Sequence, residues 1–302
     1  MTTFKSPLDA IGNTPLVKIP LACAATVYAK MEYMNPGGSI KDRSALYMVQ
    51  QAEKKGLLAP GGTIVEPSSG NMGIALSMIG RIKGYRVIIT ASEKTAKQKI
   101  DTLKAYGAEV LLCPPASAED PKGYREQARK IAAEMGAFMP NQFHNQDNAM
   151  AHYHGIGPEI WRETQGKVTH FVAAAGTGGT VCGVAKFLKE QNKDIKVYAV
   201  DPETSFYSTQ GNPRPYAVEA FGIDAITELL DFSLLDGVIP VSDVEVFEMT
   251  RRLCHDYGHL VGFSAGAAAL AIMKLAETLE PHHTVVFPLC DSGKPYLQKL
   301  FA

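Results

Sequence analysis

A lysine set behind a glycine turn, in Asn35-Pro36-Gly37-Gly38-Ser39-Ile40-Lys41, is the residue of this chain best suited to covalent chemistry. Pro36, Gly37 and Gly38 predict a turn, Ser39 can cap, and the amphipathic run from Ser44 to Glu53 predicts a helix with Lys41 in its first turn. The positive end of a helix disfavours a charged ammonium, and burial disfavours it further, so such an amine can act as a nucleophile near neutral pH. Alone, a lysine beside a turn is a solvated cation. Its meaning depends on the other loops.

Three such loops exist. Glu66-Pro67-Ser68-Ser69-Gly70-Asn71-Met72-Gly73 follows a short apolar run and precedes an apolar helical pattern; its hydroxyls, amide and freed backbone N–H groups suit a carboxylate. Gly176-Thr177-Gly178-Gly179-Thr180 opens another helix, where converging amides and two hydroxyls suit a phosphate. It is not a nucleotide P-loop, because Gly183 is followed by Val184. A dinucleotide site is a rival, since Asp201 ends the next strand at the spacing of a ribose-binding acid, but Val181 stands where the third glycine belongs. In Val261-Gly262-Phe263-Ser264-Ala265-Gly266, Ser264 is an N-cap or first-turn hydroxyl. His152 and His154 are two apart, which is not the spacing of a helical metal pair, and are expected at the surface or behind a site. No Ser-His-Asp set or Gly-x-Ser-x-Gly elbow suggests a hydrolase.

The elements carrying these loops follow a strand–helix rhythm. Strands are predicted at 63–65, 87–90 and 109–112 and helices at 72–81, 96–106 and 124–135, behind a leading ribbon that ends in a strand at 26–31. The rhythm restarts after residue 150, with strands at 170–174, 196–200 and 284–288 and helices at 180–190, 244–257 and 265–279. This implies an α/β chain of two doubly wound lobes with mainly parallel sheets, in which ligands bind at the strands' carboxyl ends. The stretch 204–216, with Gly211, Pro213 and Pro215, is expected to be a mobile loop.

Composition excludes some partners. With 302 residues, 30 Lys+Arg against 31 Asp+Glu and both signs dispersed, the chain has no electrostatic claim on nucleic acid or an anionic membrane. No segment approaches the ~20 apolar residues that span a bilayer, and Met1 to Pro7 has no apolar targeting core. Five scattered cysteines without a Cys-x-x-Cys pair read as reduced core thiols, so a cytoplasmic protein with small-molecule partners is expected.

A lysine on a glycine loop, a carboxylate-type loop, a phosphate loop and a lone serine in this order resemble the fold-type-II pyridoxal-phosphate enzymes, and more narrowly the cysteine synthase and cystathionine beta-synthase family. The resemblance runs from Ile11-Gly12-Asn13-Thr14-Pro15-Leu16 to Asp291-Ser292-Gly293-Lys294-Pro295-Tyr296. It implies a tryptophan-synthase-beta-like fold, with residues 1–40 and 150–302 a large cofactor-binding lobe and 41–149 a smaller mobile lobe, in a homodimer. By resemblance, Lys41 holds pyridoxal 5'-phosphate as a Schiff base, Asn71 bonds the ring's phenolic oxygen, residues 176–180 hold the phosphate and Ser264 meets the pyridine nitrogen. Ser68, Ser69, Gly70, Asn71, Met72 and Gln142 would surround the substrate. The implied reaction replaces the beta substituent of serine, O-acetylserine or O-phosphoserine with sulfide or another thiol. Alternatives are a beta-eliminating lyase or serine dehydratase, a siderophore-pathway synthase and, from another class, a nicotinamide-dependent oxidoreductase.

The chain departs from the family pattern in two places. Ser68 and Met72 stand in a loop that usually reads Thr-Ser-Gly-Asn-Thr-Gly, replacing one hydroxyl with a thioether. Val218-Glu219-Ala220-Phe221-Gly222 stands where a Gly-Ile-Gly turn is common, and side chains at Ala220 and Phe221 should reshape the loop facing the site.

Overall fold

The computed structural model describes residues 3–116, 120–223 and 227–301, so Met1 and Thr2 of the N-terminal stretch discussed above lie outside it. Among the described residues, nine strands form two sheets. The larger contains β1 (Leu16–Lys18), β2 (Thr26–Lys30), β6 (His170–Ala174), β7 (Lys196–Pro202), β8 (Gly237–Val241) and β9 (Thr284–Pro288), in the order β1-β2-β9-β6-β7-β8. The smaller orders β3 (Thr63–Glu66), β4 (Arg86–Ser92) and β5 (Glu109–Cys113) side by side. Only the β1–β2 ribbon is antiparallel. Parallel strands need cover on both faces, which is why β6 and β9 are short apolar runs rather than alternating ones.

Cover comes from the helices: α1 (Lys41–Lys54), α2 (Asn71–Lys83), α3 (Lys97–Ala105), α4 (Tyr124–Met135), α5 (Asp147–His154), α6 (Ile156–Glu163), α7 (Gly179–Gln191), α8 (Asp243–His255), α9 (Phe263–Lys274) and α10 (Leu297–Phe301). One core packs α1 and α2 against the small sheet through Met48, Val49, Leu76 and Ile79. Two others sandwich the large sheet, with the almost wholly buried α9 on one face and α7 on the other. The small residues of α9 permit this closeness: a Cβ on Gly266 would stand 1.9 Å from the Thr250 hydroxyl of α8.

Most predicted segments form within a few residues of their expected ends. The helix expected over 265–279 stops at Lys274, followed by a single 3-10 turn at Ala276–Thr278. Four elements lie outside the sequence reading: β8, α5, α6 and α10. Of these, α5 and α6 are short and break at Gly155, where a Cβ would meet the Ala151 carbonyl at 2.7 Å. The stretch 204–216 forms neither helix nor strand, and the buried Asp201 carboxylate ties down its start by accepting hydrogen bonds from the Ser205 and Ser208 hydroxyls. Of the five cysteines, all free, Cys113 and Cys182 are buried; Cys23, Cys254 and Cys290 are only half-buried, short of the core positions expected for them.

Candidate active site

Lys41 is the first residue of α1, as its turn predicts, and the Ser39 hydroxyl accepts the Lys41 backbone N–H at 3.2 Å. Gly37 in that turn can carry no side chain, because a Cβ would fall 2.4 Å from the Asp42 carboxylate that accepts the Gly37 N–H. Two residues along, Arg43 is buried in a fork of carboxylates: its guanidinium donates to Glu32 at 2.7 and 2.8 Å and to Glu159 at 2.6 and 2.8 Å. Glu159 is shared with Lys30 at 2.9 Å, so β2, α1 and α6 meet in one ionic network beneath the lysine loop. Burial opposes charge on Glu159, but Arg43 and Lys30 outweigh it and hold its carboxyl down at about 2.

The 66–73 loop leaves β3 and folds back onto the start of α2, so closely that a Cβ on Gly73 would overlap the Ser68 carbonyl at 1.8 Å. Glu66 is buried at its root, and its carboxylate accepts the Asn141 N–H at 3.1 Å, fixing the turn that presents Gln142. Desolvation pushes Glu66 up to about 7. The 176–180 loop leaves β6 with Gly178 at φ +86° and enters α7. It is braced from behind: Asn148 donates to the Thr177 hydroxyl at 3.2 Å, the Thr227 hydroxyl donates to the Thr177 carbonyl at 2.9 Å, and the Thr180 hydroxyl lies 3.2 Å from His152 Nε2. His152 is therefore buried behind this loop, the second of the two places expected for it, and desolvation, with the charges of Lys41 and Arg43, keeps it neutral.

These loops converge. A cleft of about 760 Å³ between the two sheets is lined by Lys41, Ser68, Ser69, Gly70, Asn71, Met72, Gln142, Gly176, Thr177, Gly178, Thr180 and Ser264. Gly179 alone of the predicted residues does not line it; it starts α7, and a Cβ there would meet Asn148 Oδ1 at 2.7 Å. Ser264 is a first-turn residue of α9, and its buried hydroxyl has no hydrogen-bond partner among the described residues. Lys41 reaches the same cleft, where desolvation lowers its ammonium's pKa, against the opposing pull of Cys290 and Asp291. Burial pushes the neighbouring Cys290 thiol up to about 12.

Sequence reasoning assigns no role to Glu66 or Asp291. The buried Asp291 carboxylate accepts the Asn71 amide at 2.7 Å and the Tyr296 hydroxyl at 2.8 Å, and burial raises its pKa. Asp291 and Tyr296 fall in a motif visible in the sequence, but nothing local reveals that they reach Asn71, 220 residues away. Asp201, the acid a dinucleotide site would need, is fully buried, accepts the Ile223 N–H at 2.9 Å and is absent from the cleft lining. The oxidoreductase alternative loses its ribose contact.

A desolvated lysine, an amide-rich loop at a helix start and an unpartnered buried serine share one cleft. The family model described as pyridoxal-phosphate dependent enzyme matches residues 7–291. The chain belongs to the pyridoxal-phosphate-dependent enzymes. Within them it falls in the fold-type-II cysteine synthase and cystathionine beta-synthase family. It is 41% identical over 291 residues to the cysteine synthase of Staphylococcus aureus strain Mu50, covering 95% of this chain and 93% of that one. It is 40% identical over 303 residues to the cystathionine beta-synthase of Apis mellifera, covering 97% of this chain and 60% of the relative. The crystal structure of the O-acetylserine-dependent cystathionine beta-synthase from Helicobacter pylori superposes with a TM-score of 0.91 at 35% identity, over all of both chains. The cofactor of this family is pyridoxal 5'-phosphate, and the donor set fits it: the unpartnered Ser264 hydroxyl is a polar group awaiting a partner inside the cleft.

Proposed function

We propose that this enzyme catalyses pyridoxal-phosphate-dependent beta-replacement on serine or an O-activated serine, O-acetylserine or O-phosphoserine, with sulfide or another thiol, giving cysteine or a cystathionine-like thioether. The observation that carries it is the convergence of Lys41, the 68–72 loop, the 176–180 loop and Ser264 on one cleft. Pyridoxal phosphate, when bound, supplies the electron sink for charge developing at the amino acid's alpha carbon. Lys41 would hold the cofactor through its amine, and the same nitrogen is placed to take the alpha proton as general base and, as an ammonium, to give a proton to the leaving group. Desolvation suits that role, because it keeps the amine available as a base at lower pH than a solvated lysine.

The remaining residues bind and orient. Gly176, Thr177, Gly178 and Thr180 would take the phosphate on backbone N–H groups and hydroxyls at the start of α7, while Gly179 stands behind them with its N–H donated to the Thr177 hydroxyl at 3.2 Å. Ser264 would offer a neutral hydroxyl to the ring nitrogen, supporting a weaker electron sink than a carboxylate would. Asn71 would bond the ring's oxygen, and Ser68, Ser69, Gly70, Met72 and Gln142, which line the same cleft, would surround the donor's carboxylate. We further read the chain as a cytoplasmic homodimer in which the lobe of residues 41–149 closes on the lobe of 1–40 and 150–302, excluding water during the reaction. Five free thiols and the absence, among the described residues, of any helix long and apolar enough to cross a membrane fit that setting.

The test is an absorbance spectrum of purified protein, repeated with serine, O-acetylserine, O-phosphoserine and cysteine in turn, followed by product analysis with sulfide. A visible band that shifts to longer wavelength with one donor, and a thioether or cysteine product, is expected. No visible band after reconstitution would sink the reading. Pyruvate persisting under saturating sulfide would replace it with the eliminating lyase.

A further inference from the structure

Beyond β9 the chain runs through Cys290, Asp291 and Ser292, whose backbone is pinned from two sides. On the side of the lysine loop, Ile40 N–H donates to the Cys290 carbonyl at 2.7 Å and Ser292 N–H to the Gly38 carbonyl at 3.3 Å; on the side of α9, Gly262 N–H donates to the Asp291 carbonyl at 3.1 Å. The Asp291 side chain is equally fixed. A Cβ on Gly262 would stand 2.2 Å from its Oδ1, and its Oδ2 accepts the Asn71 amide at 2.7 Å and the Tyr296 hydroxyl at 2.8 Å. We propose that Asp291 is a positioning residue for the cofactor, holding the Asn71 side chain with its amide nitrogen, not its carbonyl, turned to the ring oxygen. The proposal rests on the assignment of Asn71 to that oxygen made above.

The chemistry of the acceptor decides the orientation. A primary amide gives two hydrogens from nitrogen and accepts only at oxygen, and a neutral partner such as a hydroxyl or another amide pairs with either end. An ionised carboxylate only accepts, so Asn71 meets Asp291 by its nitrogen alone. One hydrogen goes to Oδ2 and the other is left for the cleft, which both residues line. Tyr296 preserves the choice when the acid takes up a proton. Burial raises the Asp291 pKa, but burial and the Asp291 charge also keep Tyr296 a hydroxyl, and with two donors on Oδ2 the proton belongs on Oδ1.

A clasp between the sheets would not need this acid. Asn71 opens α2 on the small sheet and Asp291 follows β9 of the large one, and a hydroxyl or amide would join them with less desolvation. Asp291 instead keeps Oδ1 buried with no hydrogen-bond partner among the described residues. What the carboxylate alone supplies is the orientation of the Asn71 amide.

The experiment uses holoenzyme of the parent, Asn71→Ala, Asp291→Ala, the double variant and Asp291→Asn. Each is dialysed to equilibrium against graded pyridoxal 5'-phosphate, the visible band giving occupancy and far-UV circular dichroism the fold. Asn71→Ala should raise the cofactor Kd about tenfold, the scale of one hydrogen bond to a charged group, and shift the band. Asp291→Ala should reproduce most of that rise and the same shift, yet add less than about twofold in the Asn71→Ala background, because it acts through that amide. Losses that multiply, to about a hundredfold in the double variant, would overturn the proposal and leave Asp291 a structural clasp, as would a Kd for Asp291→Ala within about twofold of the parent's. Asp291→Asn keeps an acceptor but can also meet Asn71 by the wrong end, so it should recover about threefold of the loss. No recovery would assign the effect to the lost charge and overturn the role of orientation. Should Asp291→Ala lose the fold, the same cycle with Asp291→Asn decides, multiplying losses again overturning the proposal. An unchanged Kd and band in Asn71→Ala would overturn the Asn71 assignment beneath it, whereas a sensitive Asn71 with an independent Asp291 overturns the proposal alone.

Discussion

Lys41 differs from the chain's other lysines in its surroundings, not in its chemistry. Its helix begins at the residue itself, desolvation disfavours its charge, and Cys290 and Asp291 favour it less strongly than desolvation opposes it. Lys41→Ala removes the amine while the Ser39 cap and the Arg43 fork stay in place. Its turnover should therefore fall by at least the ~10²–10⁴-fold attributed to a general base, with an unchanged far-UV circular dichroism spectrum. A well-folded variant that turns over normally would remove Lys41 from the mechanism. The residues of this site were legible where they cluster in sequence: glycines beside hydroxyls, at a strand's end and a helix's start, have few other uses. Glu66 and Asp291 were not. Each works by accepting hydrogen bonds from residues far along the chain, Asn141 and Asn71, and no local spacing announces such a partnership.

At the level of elements, the lysine loop is held by helices that the sequence did not announce. The period of α1, α2, α7 and α8 made them visible, whereas α5 and α6 span eight residues each and are separated by a bend, too short for a period to emerge. Yet α6 supplies Glu159, which locks Arg43 from 116 residues away. Buried charges of this kind are costly to strand. Arg43→Met leaves Glu32 and part of Glu159 desolvated without a cation and should lower the unfolding free energy by about 3–5 kcal/mol. Arg43→Lys should recover only part, since an ammonium cannot bridge two carboxylates in parallel forks. Urea unfolding of the three proteins reads this directly, and a loss under about 1 kcal/mol for Arg43→Met would show the network to be dispensable. Kinetics add a second reading: because the network sits under the first turn of α1, kcat should fall together with stability in Arg43→Met.

Across the whole molecule, buried carboxyls pull stability in opposite directions with pH, Glu159 one way and Glu66, Asp42, Asp201 and Asp291 the other. Glu159, held at about 2 by Arg43 and Lys30, contributes stability that is present above the ordinary carboxyl range and lost as pH falls through it toward 2. Glu66 and Asp42, both pushed up to about 7 chiefly by burial, behave inversely: each remains protonated in the fold where the unfolded chain has lost its proton. Their contribution is complete below the ordinary carboxyl range and is lost as pH rises through about 7. Unfolding free energy should thus peak in mildly acidic solution, decline toward neutrality and level off beyond it. Glu66 faces the backbone N–H groups of Asn141 and Gln142, whereas Asp42 faces Gly37, Glu32 and Arg43, so the two can be separated by substitution. Glu66→Gln keeps an acceptor for Asn141 but cannot ionise. In urea unfolding of the holoenzyme at pH 5, 6, 7 and 8, its decline should be shallower than the parent's, with Asp42, Asp201 and Asp291, all raised by burial, supplying what remains. Parallel curves for parent and variant would mean that Glu66 ionises normally inside the fold. The turn carrying Gln142 would then be held by a carboxylate at every pH in that range, and any fall of substrate affinity toward neutrality would need a different source.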